Sequence, residues 1–392
     1  MKDPSFFLSD RIKGVPGSGI RKFFDIAAEM KDVISLGIGE PDFVTPWHIR
    51  DAGIYSLEQG HTYYTSNSGI IELRKEVARY LGRRFELEYD PKDEIVITIG
   101  GSEAIDNAVR AVVNPGDEVI IPEPSFVCYS PIVTFAGGTP VIIETNAENE
   151  FRLTAAALKE KITPKTRMLI LPYPNNPTGA IMEKKDLEEI AAVLRDTDIF
   201  ILSDEIYAEL TYGQKHVSIA SLPGMKDRCV VVNGFSKSYA MTGWRLGYAC
   251  GPKEVIAAIT KIHQYAIMSA PTTSQFAAIE ALANGDEDIE LMRDEYDSRR
   301  KLILEGVKSI GFSCFEPKGA FYIFPCISSS CKSSYDFCEG FILDQKVAVV
   351  PGSAFGSSGE GFVRCCYAAS AGDISKAIER MKIYADKISK KV

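Results

Sequence analysis

Short apolar runs alternate along most of the chain with segments whose apolar residues recur at helical spacing. Residues 94–100, EIVITIG, form a β-rich run, and residues 102–113, SEAIDNAVRAVV, show helical periodicity before the stop signal NPGD. EVIIP (118–122), TPVIIET (139–145), MLILPYP (168–174), IFILSDE (199–205) and CVVVNG (229–234) repeat the strand pattern. Helical stretches such as KKDLEEIAAVLRD (184–196) separate several of them. Runs without a polar face must be covered on both faces. This predicts a largely parallel sheet layered with helices, an α/β domain over residues 46–285.

The pattern then changes. Residues 287–310, EDIELMRDEYDSRRKLILEGVKSI, read as one long charged amphipathic helix. Short strands follow in GAFYIFP (319–325), AVVPG (348–352) and FVRCCYA (362–368), which predicts a smaller α+β domain over 286–392. Residues 1–45, rich in Gly and Pro, are expected to lack a sheet of their own and to pack as an arm on that smaller domain. Neither an internal repeat nor a low-complexity linker stands out.

Composition narrows the function classes. With 392 residues and 45% hydrophobic content the chain can bury a large core. A net charge of −9 without a run of basic residues argues against nucleic acid as a partner. No apolar stretch reaches the length of a membrane span and the N-terminus lacks signal-peptide features, so a cytoplasmic protein is expected. The nine cysteines are odd in number and scattered through apolar segments, and they read as small buried hydrophobes. His48, His61, His216 and His263 show no metal-site spacing, and no structural metal is expected.

Ligand sites in an open parallel sheet form at the carboxyl ends of its strands. After EIVITIG, the residues Gly101, Ser102 and Glu103 open a helix and present backbone N–H groups and a hydroxyl to an anion; Ser102 could equally be a plain helix N-cap. After MLILPYP comes Asn175-Asn176-Pro-Thr-Gly, whose side chains can reach over the sheet edge. Asp204 follows four apolar residues and Ser203 and is expected to be partly buried, in want of a cation or a simple salt bridge, with Tyr207 nearby. In VVVNGFSKSYAMTGWRLG (230–247), Ser236 and Lys237 end an apolar run and Arg245 lies downstream; an exposed loop lysine is the bland alternative. An amine nucleophile, a buried acid, a phenol, an amide and an anion cradle with an arginine are together the parts of a pyridoxal 5'-phosphate site.

SLGIGEPDF, YYTSNSG, NNPTG, SDEIY, SKSYAMTGWRLG, GAFYIFP and PGSAFG occur in that order over nearly the whole chain. In these motifs the chain resembles class I aminotransferases of pyridoxal-phosphate fold type I. The resemblance is to the prokaryotic branch containing aspartate, aromatic and N-acetyl-diaminopimelate aminotransferases. It implies that Lys237 carries the cofactor covalently and moves the substrate Cα proton, and that Asp204 pairs with the pyridine nitrogen. Tyr207 and Asn176 would hold the phenolic oxygen, and Phe126, in PSFVCY, would stack on the ring where Trp or Tyr is often found. The phosphate would fall to Gly101, Ser102, the Glu103 amide, Ser236 and Arg245, with Tyr64 reaching in from the other subunit of a homodimer whose active sites are shared. Arg364 would clamp the substrate α-carboxylate, assisted by Asn176 and the Gly39 backbone.

The resemblance implies ping-pong transfer of an amino group from an L-amino acid to 2-oxoglutarate. For the donor, residues 19–43 and 350–364 read closest to aromatic aminotransferases, whereas LPYPNNPTG and KIHQY are similar to the N-acetyl-LL-diaminopimelate branch. Aspartate members carry a lysine where GGSEA places Ser102, and Glu103 is expected to add negative charge there. Aromatic or broad specificity is therefore favoured over aspartate. Carbon–sulfur β-lyase chemistry uses the same lysine, aspartate and arginine and stays open. Gly17, Ser18 and Ile20 are expected to form a lid over the site.

Overall fold

The computed structural model describes residues 3–17, 19, 30, 32–328, 331 and 333–389; the expected lid residues Ser18 and Ile20 lie outside them. One short strand and a seven-stranded sheet organise the first two thirds of the chain. Strand β1 is Ile34–Ser35; the sheet is built from β2 (Ile95–Thr98), β3 (Glu118–Glu123), β4 (Thr139–Glu144), β5 (Thr166–Leu171), β6 (Phe200–Asp204), β7 (Cys229–Gly234) and β8 (Gly247–Cys250). Its order is β2-β8-β7-β6-β5-β3-β4. All neighbours are parallel except β8, which runs antiparallel to both β2 and β7. The short run GYAC was not predicted as a strand: it follows directly on a motif of turn residues, and its pairing is wholly non-local.

Side-chain parity explains why these runs lack a polar face. Ile95, Ile97, Leu169, Leu171, Ile201 and Val231 enter one apolar core, while their neighbours Val96, Met168, Ile170, Leu202, Val230 and Val232 enter another on the opposite face. Every residue of β2 and β7 is buried. Burying one such aliphatic side chain contributes roughly 1.5–3 kcal/mol, which a sheet with a wet face would collect on one side only.

A third core lies outside the central sheet. It gathers the long helix Asp286–Ile310, helices Ser334–Gln345 and Ala371–Ser389, and strands β9 (Tyr322–Ile323) and β12 (Val363–Cys366) of a small antiparallel sheet whose third strand, β11 (Val350–Pro351), turns Val350 to the first core. The arm contributes Leu36 to this core, and β1 pairs in parallel with β10, Val347–Ala348. Tyr207 and Leu210 of the central-sheet region also enter it. Among the described residues no helix is long and apolar enough to cross a membrane, and no group of His, Cys, Asp and Glu is placed to hold a metal ion.

The helix after β2 spans Gly100–Val112, two residues earlier than the periodicity predicts. Gly100 turns the chain with φ +75°, a left-handed conformation that an L side chain resists. A Cβ on Gly247 of β8 would stand 2.6 Å from the Gly100 carbonyl carbon and 2.7 Å from the Gly101 nitrogen. Backbone therefore packs directly on backbone where the helix begins. Gly247→Ala is expected to lower the melting temperature, at an overpacking penalty of about 1–3 kcal/mol, and to weaken anion binding at this turn. A wild-type melting curve from that variant would show that the close approach is not needed.

Candidate active site

A cavity of about 330 Å³ opens at the carboxyl ends of the parallel strands. Asp204, the last residue of β6, and Ser236 and Lys237, just past β7, line it with Asn176 from the turn after β5 and Arg364 from β12. Gly39, Gly101, Ser102, Phe126, Tyr207 and Arg245 complete the set of predicted residues on its wall. Residues separated by more than 300 positions in sequence thus converge on one space: Arg364 Nη2 donates to the Gly37 carbonyl.

Lys237 is part-buried, and its Nζ donates to the Gly39 carbonyl at 2.6 Å. The phenol ring of Tyr207 and the ring of Phe321 lie 5.8 and 5.7 Å from the ammonium. Burial, aided by the guanidiniums of Arg364 and Arg245, lowers its pKa from 10.5 to about 8. It is no exposed loop lysine. The amine is brought within reach of its nucleophilic form near neutral pH.

Asp204 is buried at 6% exposure; Tyr129 Oη donates to its Oδ2 at 2.7 Å and the Ile206 N–H to its Oδ1 at 3.2 Å. Among the described residues no Lys, Arg or His nitrogen lies within ion-pair distance of it, so the simple salt bridge is absent. Burial pushes its pKa up, against the hydrogen bonds that hold it down. A carboxylate so placed is complementary to a protonated ring nitrogen arriving in the cavity.

Arg364 is its counterpart. The side chain is 2% exposed; Nη1 donates to Asn176 Oδ1 at 2.9 Å, and the guanidinium lies over the rings of Tyr322 and Phe355 at 4.6 and 4.9 Å. Its Nε has no acceptor, and no carboxylate among the described residues pairs with it. A buried, unpaired guanidinium on a cavity wall is a receptor for a carboxylate.

The anion cradle is built from the start of the helix Gly100–Val112. Its N-cap is Ile99, without a side-chain cap, and Ser102 stands inside the first turn rather than capping it. The first-turn amides are consequently available. Arg245, at φ +52°, donates to the Thr242 carbonyl at 3.0 Å; a Cβ on Gly100 would be 2.8 Å from its Nη2. Among the described residues no carboxylate pairs with it.

Glu103 departs from expectation. Its carboxylate does not enter the cavity wall: Oε2 accepts from the Ile99 N–H at 2.5 Å and Oε1 meets His263 Nδ1 at 2.6 Å. The first-turn carboxylate folds back on its own helix terminus, where amide dipoles favour it. Only its backbone amide remains a candidate for the cradle.

Tyr64 is 76% exposed and does not line this chain's own cavity. Two contributors were missed by the sequence reading although their motifs were in view. Tyr129, the last residue of PSFVCY, holds Asp204, and Tyr322 of GAFYIFP hydrogen-bonds Tyr207 Oη to Oη at 2.8 Å. Burial pushes the phenol of Tyr207 well up, with Tyr322 adding to it. A Cβ on Gly39 would stand 2.3 Å from Tyr322 Oη, so glycine is required where the arm crosses the site.

These residues fit pyridoxal phosphate on their own chemistry: an amine of lowered pKa, an unpaired buried carboxylate, an aromatic face at Phe126 and a free helix terminus with an unpaired arginine. Comparison with known proteins agrees. The model of the family "Aminotransferase class I and II" matches residues 31–381. An aspartate aminotransferase of Pyrococcus abyssi is 47% identical, over 96% of this chain and 97% of its own. Aromatic-amino-acid aminotransferase 2 of Thermococcus litoralis is 46% identical, over 96% of this chain and 97% of its own. The crystal structure of an aromatic aminotransferase from Pyrococcus horikoshii superposes with a TM-score of 0.89 at 44% identity, covering 94% of this chain and 99% of that one. The chain belongs to the class I and II aminotransferases and is an enzyme of fold type I that uses pyridoxal phosphate.

Proposed function

We propose that the enzyme transfers the amino group of an aromatic or broad range of L-amino acids to 2-oxoglutarate by a ping-pong mechanism. The observation that carries the reading is Arg364, a buried guanidinium without an anion on the same cavity wall as an amine of lowered pKa. When bound, the cofactor supplies a pyridinium ring that takes up the electron pair released at the substrate Cα. Asp204 keeps the ring nitrogen protonated, its own burial without a cation making that pairing favourable. Tyr207 and Asn176 hold the phenolic oxygen and Phe126 covers one ring face. Gly101, Ser102, the Glu103 amide, Ser236 and Arg245 hold the phosphate.

Arg364 fixes the α-carboxylate of either substrate, with Asn176 Oδ1 already keeping Nη1 in place. Lys237 would take the Cα proton of the bound substrate, and its lowered pKa makes the neutral amine available for that role. For the donor side chain, the cavity offers Ile38, Phe126, Ile206 and Tyr322, an apolar surface suited to a ring. Among the described residues the cations on the wall, Lys237, Arg245 and Arg364, are all assigned, so a second carboxylate, that of 2-oxoglutarate included, meets neutral donors there rather than a dedicated cation. The similar enzymes include both aspartate and aromatic aminotransferases, so the side-chain preference rests on this wall. Tyr64, with the exposed Trp47, Tyr55 and Tyr63, supports a homodimer in which Tyr64 reaches the phosphate of the partner's site.

Lys237→Ala is expected to retain noncovalent cofactor but to lose steady-state transamination by at least about 10⁴-fold; measurable turnover would overturn its role. Arg364→Lys, which cannot offer two parallel N–H groups, should lower kcat/KM for both donor and acceptor about 10- to 100-fold while the cofactor spectrum persists. In the apoenzyme, capture of pyridoxal phosphate should speed up as pH rises, with a midpoint near 8 rather than 10.5, because burial favours the neutral amine of Lys237. A midpoint above 10 would contradict the buried environment. Finally, L-phenylalanine or L-tyrosine should bleach the cofactor band and 2-oxoglutarate restore it. Bleaching by L-aspartate alone would move the assignment to aspartate. Pyruvate and ammonia from cystathionine would move it to β-lyase chemistry.

A further inference from the structure

The pair formed by Glu103 and His263 has no part in the chemistry above, yet it sits directly behind the anion cradle. His263 belongs to the helix Lys253–Ala266, which packs against the cradle helix, and it is fully buried. Its Nδ1 meets Glu103 Oε1 at 2.6 Å, and a carboxylate only accepts, so Nδ1 carries a proton. Its Nε2 is buried without a partner among the described residues. Glu103 has two further contacts: Oε2 accepts from the Ile99 N–H at 2.5 Å, and Oε1 from Asn107 Nδ2 at 3.1 Å. Burying an imidazole with one nitrogen unsatisfied carries a desolvation cost.

That bond decides where a negative charge stands. Glu103 is adjacent in sequence to Ser102, which lines the cavity, and its own amide, in the first turn of the helix, is a candidate for the cradle. A carboxylate turned toward the cradle would repel an anion there and compete for the same first-turn amides. Turned back onto Ile99, it satisfies an orphan backbone donor and leaves the cavity-facing amides free. We propose that His263 is a positioning residue for the cofactor phosphate: it holds the Glu103 carboxylate out of the cradle. The inference rests on the reading that the cradle takes the phosphate of pyridoxal phosphate.

The test compares dissociation constants of pyridoxal phosphate and of pyridoxal, which lacks the phosphate, by absorbance titration of apoenzyme. His263→Ala should weaken pyridoxal phosphate roughly tenfold and leave pyridoxal unchanged. Adding Glu103→Gln to that variant removes the displaced charge and should recover most of the loss. Equal weakening of both ligands, no weakening, or no recovery in the double variant would overturn the proposal, leaving His263 a packing residue. If His263→Ala does not fold, His263→Asn, which keeps a donor near Nδ1, should retain the affinity that His263→Leu loses; equal affinities would overturn it. A wild-type apoenzyme that captures neither ligand would instead overturn the cofactor assignment of the cavity itself.

Discussion

Two buried charges of opposite sign, each without an ionic partner among the described residues, face one cavity: the carboxylate of Asp204 and the guanidinium of Arg364. Leaving such a charge uncompensated costs roughly several kcal/mol, so the surrounding structure must over-determine both positions. It does so with neutral hydrogen bonds. Tyr129 and the Ile206 amide hold Asp204, while Asn176 and the Gly37 carbonyl hold Arg364. None of these partners neutralises the charge, and each therefore orients the group while leaving its electrostatic demand to be met by a bound molecule. The unpaired state is what makes the cavity receptive.

The scaffold keeps this strained arrangement in place through rigid neighbours. Asp204 and Lys237 stand at the ends of adjacent, fully covered strands whose register, Asp204 opposite Val232, sets their separation. The cradle helix is seated on β8 by backbone contact at Gly247, and the arm crosses the site at Gly39, where Tyr322 leaves room only for hydrogen. Arg364 arrives from the small antiparallel sheet, whose partner strand β9 carries Tyr322. Tyr207 and Leu210 extend into the core around that sheet, so the cofactor side and the carboxylate-binding side are packed against each other.

Glu103 shows how a charge can be present near a site without acting in it. From the sequence its carboxylate reads as a negative charge in the donor pocket; in the fold it serves its own helix terminus and His263. The case against an aspartate donor therefore stands on the absence of a cation at Ser102 rather than on repulsion by Glu103.

Much of the protein was legible in the chain. Apolar runs without a polar face read as strands of a covered sheet, and Lys237, Asp204, Asn176 and the Gly-Ser turn were expected at the carboxyl ends of those strands, where they line one cavity. The periodicity could not show β8, because GYAC is a strand only by virtue of its pairing with β2 and β7. It could not show the helix start either, since a left-handed glycine, not an apolar position, fixes it. The tertiary structure alone decided that Arg364 is buried without an anion, that Tyr129 and Tyr322 orient the acid and the phenol, and that Glu103 faces away. The physical reason is the same in each case. Local propensity is written in neighbouring residues, whereas the charge state and direction of a buried group depend on partners brought together from distant parts of the chain.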